Sequence, residues 1–172
     1  MSAIAREAGA LLMQHFRQHL KVEYKGDADL VTAADRASEV LIRERIRQQW
    51  PDHDVLGEEQ GLSDQGSDYR WYVDPLDGTT NFAHGFPVFC VSMALERRLP
   101  GEQPRRIAGV VYDPTRDELF SAEQGRGARL KVSGSLFRDA EGAVRKERSG
   151  NCDSEGIVWR RKNLIAASRT AT

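Results

Sequence analysis

The chain has 172 residues, enough for one domain with a sizeable core, and 25 Lys plus Arg against 26 Asp plus Glu leave a net charge of -1. That balance holds no basic excess for a polyphosphate backbone and argues against nucleic acid as a partner. With 40% hydrophobic and 30% charged residues the composition is that of a folded globular chain, and the longest nearly apolar stretch, residues 86–95, falls short of the ~20 residues a membrane-crossing helix needs.

In chain order, Ile4, Ala8, Leu11, Leu12 and Phe16 recur at three- and four-residue steps and predict a first helix over residues 4–16. Arg6 and Glu7 inside it break the charged-then-apolar order of a secretory signal, so no membrane partner and a cytoplasmic location are expected. Residues 32–50 predict a second helix, with Ile42, Ile46 and Trp50 one above another and Pro51 as its stop. Thr32 and Asp35 have the spacing of a capping box at its start. Asp35 also precedes Ile42 by nearly two turns, which puts its carboxylate on the apolar face, where it needs a partner. Short strands are predicted at residues 54–56 and 70–73, and a strand buried on both faces at residues 86–95. Residues 61–68 read as a Ser/Gly/Asp loop. Residues 107–112 and 118–122 flank a tight turn with Pro114 at its second position and read as an antiparallel hairpin. Elements of this kind make an α+β fold. Residues 131–172 carry nine Lys plus Arg and five Asp plus Glu, so the first 130 residues are acidic and the remainder basic. No period runs through residues 131–151, although residues 157–159 and 164–167 have the pattern of short structured pieces.

Chemistry concentrates in two segments that follow predicted strands: Gly57-Glu58-Glu59, and WYVDPLDGTTNF from Trp71 to Phe82. Strand ends are where loops gather polar groups, so Glu58, Asp74 and Asp77 can converge, and clustered carboxylates suit the hard cation Mg²⁺. Two such charges ~4 Å apart repel by about 4 kcal/mol at an effective dielectric of 20. A cation is therefore expected among them. Gly78 to Asn81 looks like a turn entering a short helix, whose free N–H groups suit an anion. Taken singly each signal has a plain structural reading: Asp-Gly is a common turn, Glu-Glu a solvated loop, and Thr79 a helix cap. His53 and His84 read as ordinary loop or partly buried histidines, because neither has a second metal-binding partner at the right spacing. Cys90 and Cys152 form no disulfide framework; Cys90, in an apolar run, reads as a core thiol. Gly125-Arg126-Gly127 lacks the Lys of a phosphate-binding loop and reads as turn geometry.

Together, DLVTAAD (residues 29–35), GEE (57–59), WYVDPLDGTTNF (71–82), GVVYDP (109–114) and GRGA (125–128) resemble, in order and spacing, the Mg²⁺-dependent, lithium-sensitive inositol monophosphatase family, relatives of fructose-1,6-bisphosphatase. The resemblance implies the N-terminal half of a layered α/β sugar-phosphatase fold, two long helices on a largely antiparallel sheet. Residues 1–130 would be a metal-binding phosphatase domain and residues 131–172 an unmatched, irregular or disordered tail. Position by position it implies that Glu58, Asp74 and the Leu76 carbonyl hold one Mg²⁺, and that Asp74 bridges to a second ion shared with Asp77. Glu58, Leu76, Asp77, Gly78 and Thr79 would surround the substrate's phosphate. Thr79, hydrogen-bonded to Asp35, would deprotonate the attacking water, which gives Asp35 its partner. Lys25 sits where the family often has a lysine, but Lys25-Gly26 reads equally as a solvated turn. The implied activity is hydrolysis of a phosphoric monoester, a small phosphorylated polyol or sugar, without a phosphoenzyme, and a homodimer is implied by the same resemblance. An aspartyl-phosphate route needs Asp-x-Asp, whereas two residues separate Asp74 from Asp77.

The family's C-terminal Trp-Asp motif, whose Asp completes the second metal site, has no counterpart: the three tryptophans precede Pro51, Tyr72 and Arg160. The expectation is a shortened phosphatase with an incomplete second site, or a non-catalytic metal-binding remnant.

Overall fold

The computed structural model describes residues 1–19, 27–132, 137–138 and 144–145. Helix α1 (Ser2–His19) and helix α2 (Asp27–Gln49) pack against each other and onto a seven-stranded sheet. Its strands are β1 (Asp54–Gly57), β2 (Gly61–Ser63), β3 (Tyr69–Asp77), β4 (Cys90–Arg97), β5 (Arg105–Asp113), β6 (Glu118–Glu123) and β7 (Gly127–Val132), in the order β2-β1-β3-β4-β5-β6-β7. A short helix, α3 (Thr79–Ala83), lies between β3 and β4, and two dipeptide strands, β8 (Phe137–Arg138) and β9 (Val144–Arg145), pair with each other. Only β1 and β3 run parallel within the large sheet; its other neighbours are antiparallel. The α+β fold with two long helices on a largely antiparallel sheet is thus the observed one.

Register explains where the core sits. Val73 stands opposite Met93, and Met93 opposite Val110. Val91 stands opposite Tyr112, and Tyr112 opposite Leu119. Alternation along a strand puts these residues on one face, and the helices cover that face with Ile4, Ala8, Leu12 and Phe16 of α1 and Ala34, Ile42 and Ile46 of α2. Fixing the helices over the middle strands leaves the C-terminal ends of β1 and β3 beside the N-terminal half of α2.

Four expectations need correction. Helix α2 begins at Asp27, before Thr32, so Thr32 lies inside the helix and cannot cap it; Asp35 is on the third turn and not at a helix start. The strand expected from residue 86 starts at Cys90, because Pro87 has no N–H for a ladder and Phe86 and Val88 bond within a turn, Phe86 N–H to Asn81 O and Val88 N–H to Phe86 O. Phe86 is exposed, whereas Val91 to Ala94 are buried as expected. The loop at residues 61–68 holds the edge strand β2. Strand β3 also runs on to Asp77, through Pro75, with a register break between Asp74 and Asp77. At the hairpin, Asp113 accepts from the N–H groups of Thr115 and Arg116, 2.8 and 3.2 Å, and closes the turn between β5 and β6. The expectations for Lys25, Cys152 and residues 157–159 and 164–167 lie outside the described residues, as does most of the segment 133–172. Among the described residues no helix is long and apolar enough to cross a membrane.

Candidate functional site

Asp35, Ser38 and Glu39 sit at steps of three and four on α2, so all three leave the helix on the face that meets the sheet. Each is buried. Ser38 Oγ donates to the carbonyl of Pro75, 3.1 Å away, which ties α2 to the broken part of β3. The Glu39 carboxylate accepts from the backbone N–H groups of Glu59, 2.7 Å, and Gln60, 3.1 Å, in the turn joining β1 to β2. One helix face thereby holds both acidic segments.

On β3, the irregularity around Pro75 lets Asp74 Oδ1 accept from its own downstream neighbour, the Leu76 N–H at 3.2 Å. Burial pushes the Asp74 carboxyl up to about 7 from 3.8, helped by the charges of Glu58 and Asp77 and by a hydrogen bond with Glu58 that a proton must supply; the Leu76 N–H opposes the rise. Asp35 is likewise raised to about 7, first by burial and then by Glu59, Asp74, Glu58 and Glu39. Its Oδ1 is buried without a hydrogen-bond partner. Glu58, sixteen residues before Asp74 in sequence, is therefore brought close to Asp74 and Asp77, with Asp35 beside them.

Beyond Asp77 the chain turns sharply into α3. Gly78 has φ of 98°, and a Cβ there would lie 2.9 Å from the Val88 carbonyl oxygen, so both backbone conformation and space require glycine. Asn81 Nδ2 donates to the same carbonyl at 2.8 Å, which holds the loop before β4 against α3. Underneath, Phe16, Phe82 and Phe89 form a triangle of rings with centroids 4.9 to 5.3 Å apart. Thr79 and Thr80 remain exposed at the helix start, where N–H groups of a first turn have no partner within the helix. The expected Thr79–Asp35 hydrogen bond is not made: Thr79 Oγ1 donates to the Leu76 carbonyl at 3.4 Å.

Cys90 also departs from its reading as a core thiol. It is half-buried, its Sγ lies 3.7 Å from Asp77 Oδ2, and burial followed by the Asp77 and Asp74 charges pushes the thiol well up, so it stays protonated. His53 accepts at Nδ1 from Trp71 Nε1, 3.0 Å, and stacks on Tyr69; His84 Nδ1 donates to the Thr80 carbonyl at 2.7 Å. Neither histidine has a carboxylate or thiol among these partners.

Among the described residues, no group of three or more acidic, histidine or cysteine side chains is arranged to hold a metal ion as it stands. The donor set nevertheless has the chemistry of a hard-cation site. Carboxylates that face each other and take up a proton near neutrality, with a buried oxygen left unpartnered, are in the state that a divalent cation relieves.

The sequence pattern that describes the inositol monophosphatase family matches residues 1–165. The chain belongs to the inositol monophosphatase family. Tomato (Solanum lycopersicum) inositol monophosphatase 2 is 44% identical over 131 residues, 73% of this chain and 48% of that protein. The fructose-1,6-bisphosphatase/inositol-1-monophosphatase of Aquifex aeolicus is 44% identical over 139 residues, 80% of this chain and 51% of its own length. Among solved structures, inositol monophosphatase from Anabaena (Nostoc) superposes with a TM-score of 0.60 at 40% identity, covering 78% of this chain and 48% of that one. The chain spans about half the length of the inositol monophosphatase relatives it matches. The family match runs past the composition shift near residue 130, and β7 straddles that shift.

Sequence reasoning missed Ser38, Glu39, Arg43 and Asn81. For the first three a signal existed: polar residues standing at apolar positions of the α2 period, next to Asp35 on the same face. Asn81 carried none, because its role depends on the loop that returns to Val88.

Proposed function

We propose that the chain carries the metal-binding part of a Mg²⁺-dependent phosphoric monoester hydrolase acting on inositol or sugar monophosphates. Glu58, Asp74, the Leu76 carbonyl and Asp77 would hold the cation, with Asp74 shared between two ions. When bound, Mg²⁺ supplies charge for a phosphate dianion and makes a neighbouring water more acidic. Gly78 and Thr79 then offer backbone N–H groups to the phosphate. Thr79 and Asp35 take the proton from the attacking water; for this the Thr79 hydroxyl must turn from the Leu76 carbonyl toward the unpartnered Asp35 Oδ1. The observation that carries the reading is the pair of carboxyls, Asp35 and Asp74, both raised to about 7 by burial first and then by nearby carboxylates, Glu59 and Asp74 around Asp35 and Glu58 and Asp77 around Asp74. Such pairs are characteristic of sites built for ions or proton transfer. The residues 1–130 form the metal-binding domain in this proposal, and residues 131–172 take no part in it.

Phosphate release from inositol 1-phosphate across a Mg²⁺ series tests it. Turnover that depends on Mg²⁺ and disappears in Asp74→Asn supports the hydrolase. Mg²⁺ binding without turnover would favour the non-catalytic remnant.

A further inference from the structure

Glu39 is fully buried, and its carboxylate has more partners than an ion pair requires. It accepts from Arg43 Nε at 2.7 Å and from the N–H groups of Glu59 and Gln60. Arg43, itself buried, spends its other donors on the Val55 carbonyl, 3.3 Å, and the Gly61 carbonyl. Val55 lies in β1 and Gly61 begins β2, so the pair grips both strands of the hairpin and the turn between them. That turn is Glu58-Glu59-Gln60. Gly57, the residue before it, has no room for a side chain, because a Cβ would run into the Glu39 carboxylate.

Stability alone does not require this arrangement. Replacing a buried ion pair by apolar side chains of similar volume is often neutral or stabilising, since both charges must be stripped of water. What the pair does that Leu and Met could not is fix backbone N–H and carbonyl groups on either side of one exposed side chain, Glu58. A three-residue turn is otherwise free to swing, and a carboxylate that faces Asp74 across the strand ends would move away from its like charge.

We propose that Glu39, backed by Arg43, is a positioning residue that fixes the backbone of the Glu58 turn beside the strand end that carries Asp74 and Asp77, so that only side-chain rotation is left to close the carboxylates on a cation. This rests on the reading of Glu58 as a metal-binding residue. The same logic places Ser38 under Pro75, one helix step away, so that a single face of α2 sets the spacing of the two acidic segments.

The test is calorimetric titration of the 172-residue chain with Mg²⁺, together with amide exchange at Glu59 and Gln60. Glu39→Gln keeps the shape and one acceptor but turns an amide NH₂ toward N–H donors. It is expected to speed exchange at both amides and to weaken Mg²⁺ binding by roughly 10- to 100-fold, as loss of a supporting partner does at metal sites. Asp54→Asn, which removes a buried charge at the other end of β1, is the control: it should lower the unfolding midpoint without changing Mg²⁺ affinity in the folded chain. Gly57→Ala pushes a methyl against the same carboxylate and should reproduce the affinity loss if Glu39→Gln does not fold. Mg²⁺ affinity within twofold of the unsubstituted chain in Glu39→Gln or Gly57→Ala, while Glu58→Gln loses binding, would overturn the positioning role. Undiminished binding in Glu58→Gln would instead overturn the metal reading on which it rests.

Discussion

Asp74→Asn should stabilise the cation-free protein, and the gain should depend on pH. The Asp74 carboxyl is raised from 3.8 to about 7 in the folded chain, by burial first and then by Glu58 and Asp77. In the unfolded chain it titrates near its ordinary value. Below that value both states carry the proton and the group has no effect on folding. Between pH 4 and 7 the folded state binds more protons than the unfolded one, so stability falls as pH rises. Above pH 7 the full penalty is present. A rise of this size corresponds to at most about 4 kcal/mol. Asn keeps the shape and can still accept from the Leu76 N–H, while its amide can donate to Glu58. Denaturant unfolding in EDTA should therefore show the variant equal to the unsubstituted chain near pH 4 and more stable by up to about 4 kcal/mol at pH 8. Adding Mg²⁺ should narrow the gap, since a ligand at 100 times its dissociation constant stabilises by about 2.7 kcal/mol only the chain that binds it. A variant that is less stable than its parent at pH 8 in EDTA, or a difference that does not move with pH, would refute the reasoning.

Mg²⁺ binding should be abolished more completely by Asp74→Asn than by Asp77→Asn, because Asp74 is proposed to touch two ions and Asp77 one; equal affinities by calorimetry would exclude the bridge. Asp54→Asn should lose about 3 kcal/mol at neutral pH, since it leaves Arg70 and Arg98 without their shared buried partner. Burial would push Asp54 up, but hydrogen bonds from Gln65 and Ser67 and the two arginines hold it below its ordinary value. Its contribution is thus present above pH ~4 and lost as pH falls through the folded value; a deficit that does not shrink as pH is lowered below ~4 would contradict this. Phe16→Ala should cost about 3 to 5 kcal/mol by emptying the ring triangle beneath α3, and denaturant titration reads it directly.

Much of the fold was legible because periodicity survives in a single sequence. The apolar steps of α1 and α2 and the alternation at β5 and β6 predicted elements that the structure contains, with ends displaced by a few residues. What failed did so at positions where a distant contact decides. Residues 27–31 continue α2 upstream of a good local cap, so a capping pattern alone did not mark the helix start. The strand expected over residues 70–73 runs on through Pro75 to Asp77, with the Pro75 carbonyl held by Ser38 from another element.

The site divides along the same line. Glu58, Asp74 and Asp77 were visible as acidic residues after strands, because hard-cation chemistry has a short list of donors. Glu39 was not, although it is as acidic as they are, because on a helix of 23 residues rich in Glu and Arg a further i,i+4 pair reads as surface decoration. Burial separates the two cases: Glu39 and Arg43 are almost wholly enclosed, whereas the pair Arg45 and Glu7 is partly exposed. An ion pair at the surface contributes little and constrains little. A buried one must be satisfied at every donor and acceptor, and the groups that satisfy this one belong to the turn that carries Glu58. The position of a candidate metal-binding carboxylate is therefore fixed by a residue whose own sequence context says nothing of metal, and it becomes readable only when the helix face and the turn are seen in contact.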